Sequence, residues 1–311
     1  MKLENCMNTV TNKRINIQSK IAFGIPFKAS KYTEAIELCL LSIQQYATFE
    51  YEIYLQIDST NLELAAEFNE QKFLSKFPDV IIREYKRKRV GDYTQALVDW
   101  VVNDSNADYI IILHSDVFFY NSTAFECLLT PLIKDSTLVL SGWEVPFSEY
   151  SSTFHISENT KKNFFVAPRI CTWLMAINSY SYKTIKIPKE SLWLGNFHIS
   201  NIQNEPFPKD INLKDFMSWF LECNIMDDMH KTCLLDIGTF AKYYVDKDLI
   251  RFFSLGNVPN PDFKTMELDY NSYGYVHIEQ YDPERFNDLF YKSSLLELRS
   301  RKIKEIIDNI G

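Results

Sequence analysis

The sequence predicts an α/β protein: a mainly parallel sheet flanked by helices, followed by an irregular second half and a C-terminal helical segment. Three observations carry this. From residue 21 onward, short apolar runs alternate with segments whose apolar residues recur at helical spacing, which is the pattern of βαβ crossovers. Tyr109-Ile110-Ile111-Ile112-Leu113 is an unbroken apolar run bounded by polar residues, as a central strand covered on both faces requires. The 311 residues are 46% hydrophobic and 15% aromatic, enough for a sizeable core and too apolar for a mostly disordered chain.

Ile21 to Phe27 reads as the first strand. Ile36, Cys39, Leu40, Ile43 and Tyr46 then recur on one helix face, and Tyr51 to Ile57 returns as a second strand ending in Asp58, Ser59, Thr60 and Asn61, residue types that favour turns and caps. A helix carrying Leu64, Ala65, Phe68 and Phe73 leads to a strand over Val80 to Tyr85. A further helix with Ala96, Leu97, Trp100 and Val101 leads to the Tyr109–Leu113 strand. Beyond it, Thr137 to Ser141 and Cys171 to Ile177 read as strands. Phe216, Trp219, Phe220 and Cys223 mark a helix, and another starts near Asp236. The organisation expected is a flexible extension over 1–19, a ligand-binding half over 20–140, a catalytic half over 141–280 and a helical segment over 281–311.

Charge and composition exclude several classes. With Lys+Arg 33 against Asp+Glu 41 the net charge is -8, which disfavours nucleic acid as a partner. No stretch reaches the ~18 consecutive apolar residues of a membrane span, which leaves only peripheral association with a membrane open. The first twenty residues lack the apolar core of a secretory signal, so a cytoplasmic location is expected. Six cysteines without a CxxC pair read as reduced thiols rather than a zinc site. Oligomeric state is not legible.

In open α/β sheets ligands bind beyond the carboxyl ends of the strands, so the residues just after each strand are the first candidates. Three ends stand out: Pro26-Phe27-Lys28, Asp58-Ser59-Thr60 and His114-Ser115-Asp116. Asp116 follows the most apolar strand and precedes Val117-Phe118-Phe119, so a carboxylate sits at the edge of a core, where it needs a cation or several donors. Lys86-Arg87-Lys88-Arg89, the one dense basic run, precedes Gly91 and suits a phosphate-bearing ligand.

The order of these segments resembles the nucleotide-sugar-dependent glycosyltransferases of the GT-A fold, in particular the inverting group called family 2. The resemblance rests on Ala22-Phe23-Gly24-Ile25-Pro26-Phe27, on Cys39-Leu40-Leu41-Ser42-Ile43 and on Glu52-Ile53-Tyr54-Leu55-Gln56-Ile57-Asp58-Ser59-Thr60. It continues through Gly91-Asp92-Tyr93-Thr94-Gln95-Ala96-Leu97 and Ala107 to Val117, where the family has its DxD motif. It covers residues 20 to 120 and, more loosely, 120 to 280.

The resemblance implies transfer of a sugar from a nucleoside diphosphate donor to a saccharide or other hydroxyl acceptor, as in a bacterial-type surface glycan, with inversion and with Mn2+ or Mg2+. It implies that Pro26, Phe27 and Asp58 line the base pocket, that Arg89, Gly91, His114 and Ser115 meet the donor, and that Asp116 holds the metal with His277 as second ligand. A base Asp near a helix start is implied as well; Asp236, after Leu234-Leu235, is the first candidate and Asp228 the fallback. His114 stands where the family has the first Asp of DxD.

Other readings stand beside these. Asp58 and Asp236 also suit helix caps. A sugar-phosphate nucleotidyltransferase shares a related sheet, although Gly24 is the single glycine of the first strand end. A degenerate GT-A module that binds nucleotide or partner without turnover would account for His114. Among the tryptophans, Trp193 is the first choice to stack on an acceptor sugar.

Overall fold

The computed structural model describes residues 19–28, 33–88, 92–150, 164–195, 197–198, 207–223, 233–257 and 274–277. The first crossover runs from β1 (Ile21–Lys28) through α1 (Glu34–Tyr46) to β2 (Tyr51–Asp58). Two short helices, α2 (Leu62–Glu67) and α3 (Glu70–Lys76), lead to β3 (Val80–Tyr85). The sequence reads as one helix here. It breaks because the Asn69 side chain accepts from Lys72 N–H at 2.9 Å and caps a second start. Next come α4 (Tyr93–Asp104), β4 (Tyr109–Leu113), β5 (Val117–Phe119) and α5 (Thr123–Lys134).

The second half supplies β6 (Leu140–Val145), β7 (Ser148–Tyr150), β8 (Phe164–Val166), β9 (Arg169–Asn178) and α6 (Ser179–Thr184). After these come β10 (Phe197–His198), α7 (Leu213–Glu222), β11 (Cys233–Leu235), α8 (Thr239–Asp246), β12 (Phe252–Asn257) and β13 (Tyr275–His277).

Seven strands form the main sheet in the order β12-β6-β9-β4-β1-β2-β3, in which only β9 runs against the others. This is the mainly parallel, helix-covered α/β sheet that the sequence predicts. A four-stranded sheet, β10-β11-β8-β7, and the pair β13-β5 lie beside it.

Strand alternation sends Phe23, Ile25, Ile53 and Leu55 to the face covered by α1 and α5, and Ala22, Tyr54, Ile110 and Ile112 to the face covered by α4. Helix α4 packs closely on β1: a Cβ on Gly24 would lie 3.2 Å from Val101 Cγ2 of the helix, and 2.7 Å from Ile112 Cδ1 of the neighbouring β4. The apolar residues of α4, Leu97, Val98 and Val101, are fully buried there.

Trp193 corrects one expectation. It is fully buried, its indole N–H donates to the Tyr182 hydroxyl at 3.2 Å, and its backbone N–H donates to Gln95 Oε1 at 2.8 Å. It is a core residue and presents no face to a sugar. Loss of periodicity in the sequence marks irregular backbone, not exposure.

Gln95 also donates to Asp99 Oδ1 at 2.9 Å, and burial pushes the Asp99 carboxyl up to about 6. Glu190 adds to that rise, while the Gln95 bond and the charges of Arg83 and Lys189 oppose it. A carboxyl raised in the fold binds more protons than in the unfolded chain, so stability falls as pH climbs through the window up to about 6 and is flat above it. Asp99→Asn keeps an acceptor for Gln95 and removes the buried charge. It is therefore expected to raise the melting temperature more at about pH 7 than at about pH 4. Equal shifts in thermal melts at the two pH values would contradict this.

Candidate active site

The carboxyl ends of β1, β2 and β3 are stapled to one another. Asp58, the last residue of β2, is buried; its Oδ1 accepts from Thr60 N–H at 3.0 Å, an Asx turn, and its Oδ2 pairs with Arg87 Nη2 at 2.5 Å. Arg87 in turn donates its backbone N–H to Thr60 Oγ1 at 3.0 Å and lays its guanidinium over the Tyr93 ring, 5.2 Å from the centroid. The Tyr93 hydroxyl accepts from Phe27 N–H at 3.3 Å and lies within donating distance of the carbonyls of Phe27, at 3.0 Å, and Gln56. Asp92 accepts from the Tyr85 hydroxyl at 2.9 Å and from Lys88 N–H at 3.0 Å. The turn after β3 is thus tied both to the end of β2 and to the start of α4.

Of the predicted base-pocket residues, Pro26 is half-buried at the end of β1. The Phe27 ring points into the core, 5.5 Å from Phe68, because alternation along β1 turns it inward. Arg89, Gly91 and Asp228 lie outside the described residues.

At the end of β4, His114 donates its backbone N–H to Trp173 O at 3.0 Å, and its carbonyl accepts from Val117 N–H at 3.2 Å. That bond closes a turn carrying Ser115 and Asp116, both half-buried, directly beyond the central strand. The chain then enters β5, which pairs antiparallel with β13 in the register Tyr275↔Phe119, Val276↔Phe118 and His277↔Val117. The backbone of His277 therefore lies opposite the residue that follows Asp116. Tyr275 anchors this return: it is fully buried, 5.3 Å from the Trp143 ring and 6.4 Å from Phe119. Carboxylate oxygen and imidazole nitrogen are donor types that Mn2+ or Mg2+ accepts, ions that complete their shells with water and phosphate oxygens, so the residue types at Asp116 and His277 fit such an ion. Among the described residues no group of three or more His, Cys, Asp or Glu clusters as a metal cage.

Strand β9 begins beyond the end of β4, since Leu113 pairs with Leu174 and the residues from Arg169 to Trp173 continue past it. Arg169, almost fully buried, sends Nε to Asp236 Oδ2 at 3.2 Å. Asp236 Oδ1 accepts from Ile237 N–H at 2.8 Å, and the side chain keeps 30% of its surface exposed. The turn that carries it is gripped from two sides. Gly238 adopts φ 93°, where a Cβ would lie 2.2 Å from Ile170 O, and a Cβ on Gly195 would lie 2.2 Å from Ile237 N. Helix α8 starts at Thr239, three residues after Asp236, so this carboxylate is presented by a rigid turn instead of capping the helix.

Sequence reasoning missed Tyr93 and Arg169 as organisers of the site. Arg87 lay within the basic run, but the spacing gave no hint that its partner is Asp58. The five described cysteines, Cys39, Cys127, Cys171, Cys223 and Cys233, are free thiols. Among the described residues no helix is long and apolar enough to cross a membrane.

No known protein-family model matches the chain. Over 112 residues it is 28% identical to an uncharacterised protein of Methanocaldococcus jannaschii, a match covering 35% of this chain and 47% of that one. The chain thus spans about half the length of the curated relative it matches. Similar solved structures include GalNAc-T7 with UDP, GalNAc and Mn2+, at 14% identity over 58% of this chain and 38% of that chain, TM-score 0.40. The mannosyltransferase PcManGT from Pyrobaculum calidifontis with GDP-Man and Mn2+ is 9% identical over 99% of this chain and 80% of its own, TM-score 0.38. A CMP:2-keto-3-deoxy-manno-octonic acid synthetase complexed with CTP is 12% identical over 79% of this chain and 93% of its own, also at TM-score 0.38. The α/β class itself rests on the strand order and pairing, which agree with the GT-A-like fold that the sequence implies.

Proposed function

We propose that the protein is a glycosyltransferase that moves a sugar from a nucleoside diphosphate donor to a hydroxyl acceptor with inversion at the anomeric carbon. One observation supports the reading: Asp116 sits in the turn that ends the central strand, and β13 returns with the backbone of His277 opposite Val117, the next residue along. The donor base lies at the ends of β1 and β2, where Pro26 and the backbone at Phe27 form one wall and Asp58 offers its remaining acceptor capacity. The resemblance assigns Arg89, Gly91, His114 and Ser115 to the donor diphosphate. A divalent Mn2+ or Mg2+ ion held by Asp116 and His277 supplies, when bound, the positive charge that a departing diphosphate needs.

Asp236 is the general base. Its carboxylate takes the proton of the acceptor hydroxyl while that oxygen attacks the anomeric carbon from the face opposite the diphosphate. The bond from that carbon to the diphosphate oxygen breaks, and the diphosphate leaves with the electron pair. Arg169 and the Ile237 N–H fix the orientation of the carboxylate, so little is lost in aligning it with the acceptor.

A thermal-shift panel of UDP, GDP, CDP and dTDP and their sugars, each with and without Mn2+, tests donor binding, because a ligand bound only by the folded state raises the melting temperature by mass action. Stabilisation by one nucleotide family, enhanced by Mn2+, is expected. Indifference to every nucleotide would transfer the assignment to the non-catalytic module that His114 suggests.

A further inference from the structure

A side cavity of about 620 Å3 runs along α4 beside the edge strand β3, within the range of about 300–1,000 Å3 typical of small-molecule sites. Its floor is the helix from Asp92 to Asp104, a span of about 18 Å at 1.5 Å per residue. Arg83 and Tyr85 line it from β3, and Leu194 from the segment after α6.

Four of the polar side chains in it, those of Arg83, Gln95, Asp99 and Asp104, are planar and held in place by internal bonds. Asp104 accepts from Trp100 Nε1 at 2.9 Å, and Asp99 accepts from Gln95 Nε2 at 2.9 Å. Each carboxylate uses one oxygen in these bonds, and the second has no hydrogen-bond donor among the described residues. Arg83 is fixed through Nη2, which donates to Ala96 O at 2.9 Å and to Gln56 Oε1, and its guanidinium lies 4.4 Å from the Trp100 ring centroid. Asn103 adds an exposed amide at the mouth.

Two properties select the ligand. First, the carboxylates of Asp92, Asp99 and Asp104 are nearly balanced by Arg83 and Lys88, which favours neither a polyanion nor a polycation. Second, planar carboxylate, amide and guanidinium groups with one edge free are suited to paired hydrogen bonds with adjacent hydroxyls, and prior fixation removes the entropy cost of ordering them. We propose that this cavity is a binding site for a neutral polyhydroxylated ligand, a short saccharide; it abuts the turn of Tyr85, Lys88 and Asp92 at the candidate active site, and neither Asp116 nor Asp236 lines it.

Saturation-transfer NMR on the full chain, with maltose, lactose and N,N′-diacetylchitobiose each at millimolar concentration, tests this. Signal transfer to at least one sugar is expected, retained in Asp116→Ala and Asp236→Asn. It should be lost in Asn103→Trp, which plugs the mouth from an exposed helix position. Asp104→Ala serves as the second variant and is expected to weaken binding about tenfold, the scale of a hydrogen bond or two. Absence of transfer to all three sugars would overturn the proposal. So would transfer that persists in both cavity variants, or transfer that disappears in Asp236→Asn, which would place the sugar in the acceptor site instead.

Discussion

Asp116→Ala is expected to weaken metal-dependent donor binding by at least about 100-fold, since even outer partners of a metal site cost 10–100-fold when removed. The fold should survive. Asp116 sits in a half-buried turn closed by backbone bonds from His114 to Trp173 and from Val117 to His114, and none of these needs its side chain. Beneath the turn lies the buried thiol of Cys39, whose ionisation Asp116 and, more strongly, burial itself oppose. Isothermal titration with the nucleotide found in the thermal-shift panel, with and without Mn2+, measures the effect. Equal donor affinity in variant and wild type, with Mn2+ present, would remove Asp116 from the site.

Asp236→Asn is expected to leave donor affinity unchanged and to lower transfer by about 100- to 10,000-fold, the range over which a positioned base accelerates proton transfer. Asparagine keeps one oxygen, for either Arg169 Nε or Ile237 N–H, turns its amide NH2 toward the other donor, and has no basic carboxylate. The ion pair with the buried Arg169 adds a stability cost, because removing one partner of such a pair leaves the other's charge uncompensated. Kinetics are therefore read on folded variant, well below its melting temperature. Full activity in Asp236→Asn with loss in Asp228→Asn would assign the base to Asp228. Arg169→Lys gives the complementary reading. It keeps the charge but loses the aligned guanidinium N–H, so kcat should fall while the donor KM holds.

Much of this fold is legible in the sequence, and the reasons are local. β1, β2, β3 and β4 stand out because each is an apolar run closed by turn-forming residues, and α4 because Leu97, Trp100 and Val101 recur at helical spacing. The Cys171 to Ile177 run falls inside β9, but nothing in it discloses that this strand runs against its neighbours. Direction is decided by the connection across the sheet, which local periodicity does not encode. β5 and β13 are three residues each, too short for a periodic signal, and their pairing joins segments far apart in the chain.

The candidate site divides along the same line. Asp58 and Asp116 are legible because they follow strands, and strand ends are where such sheets place ligands. Arg169 is not, since an Arg at the start of an apolar strand gives no sign that its partner lies in a turn after β11. Tyr93 was visible only as one aromatic in a helix, whereas its hydroxyl gathers the backbone of β1 and β2. Trp193 is the converse case: an aromatic in an irregular stretch suggests exposure, but packing against Gln95 and Tyr182 buries it.

The most direct measurement incubates the purified protein with each nucleotide sugar and Mn2+ and follows release of free nucleoside diphosphate by chromatography. One donor is expected to be consumed, with release abolished by EDTA and by Asp116→Ala and accelerated by a saccharide acceptor. No release from any donor, with and without acceptor, would contradict the assignment of this site to glycosyl transfer.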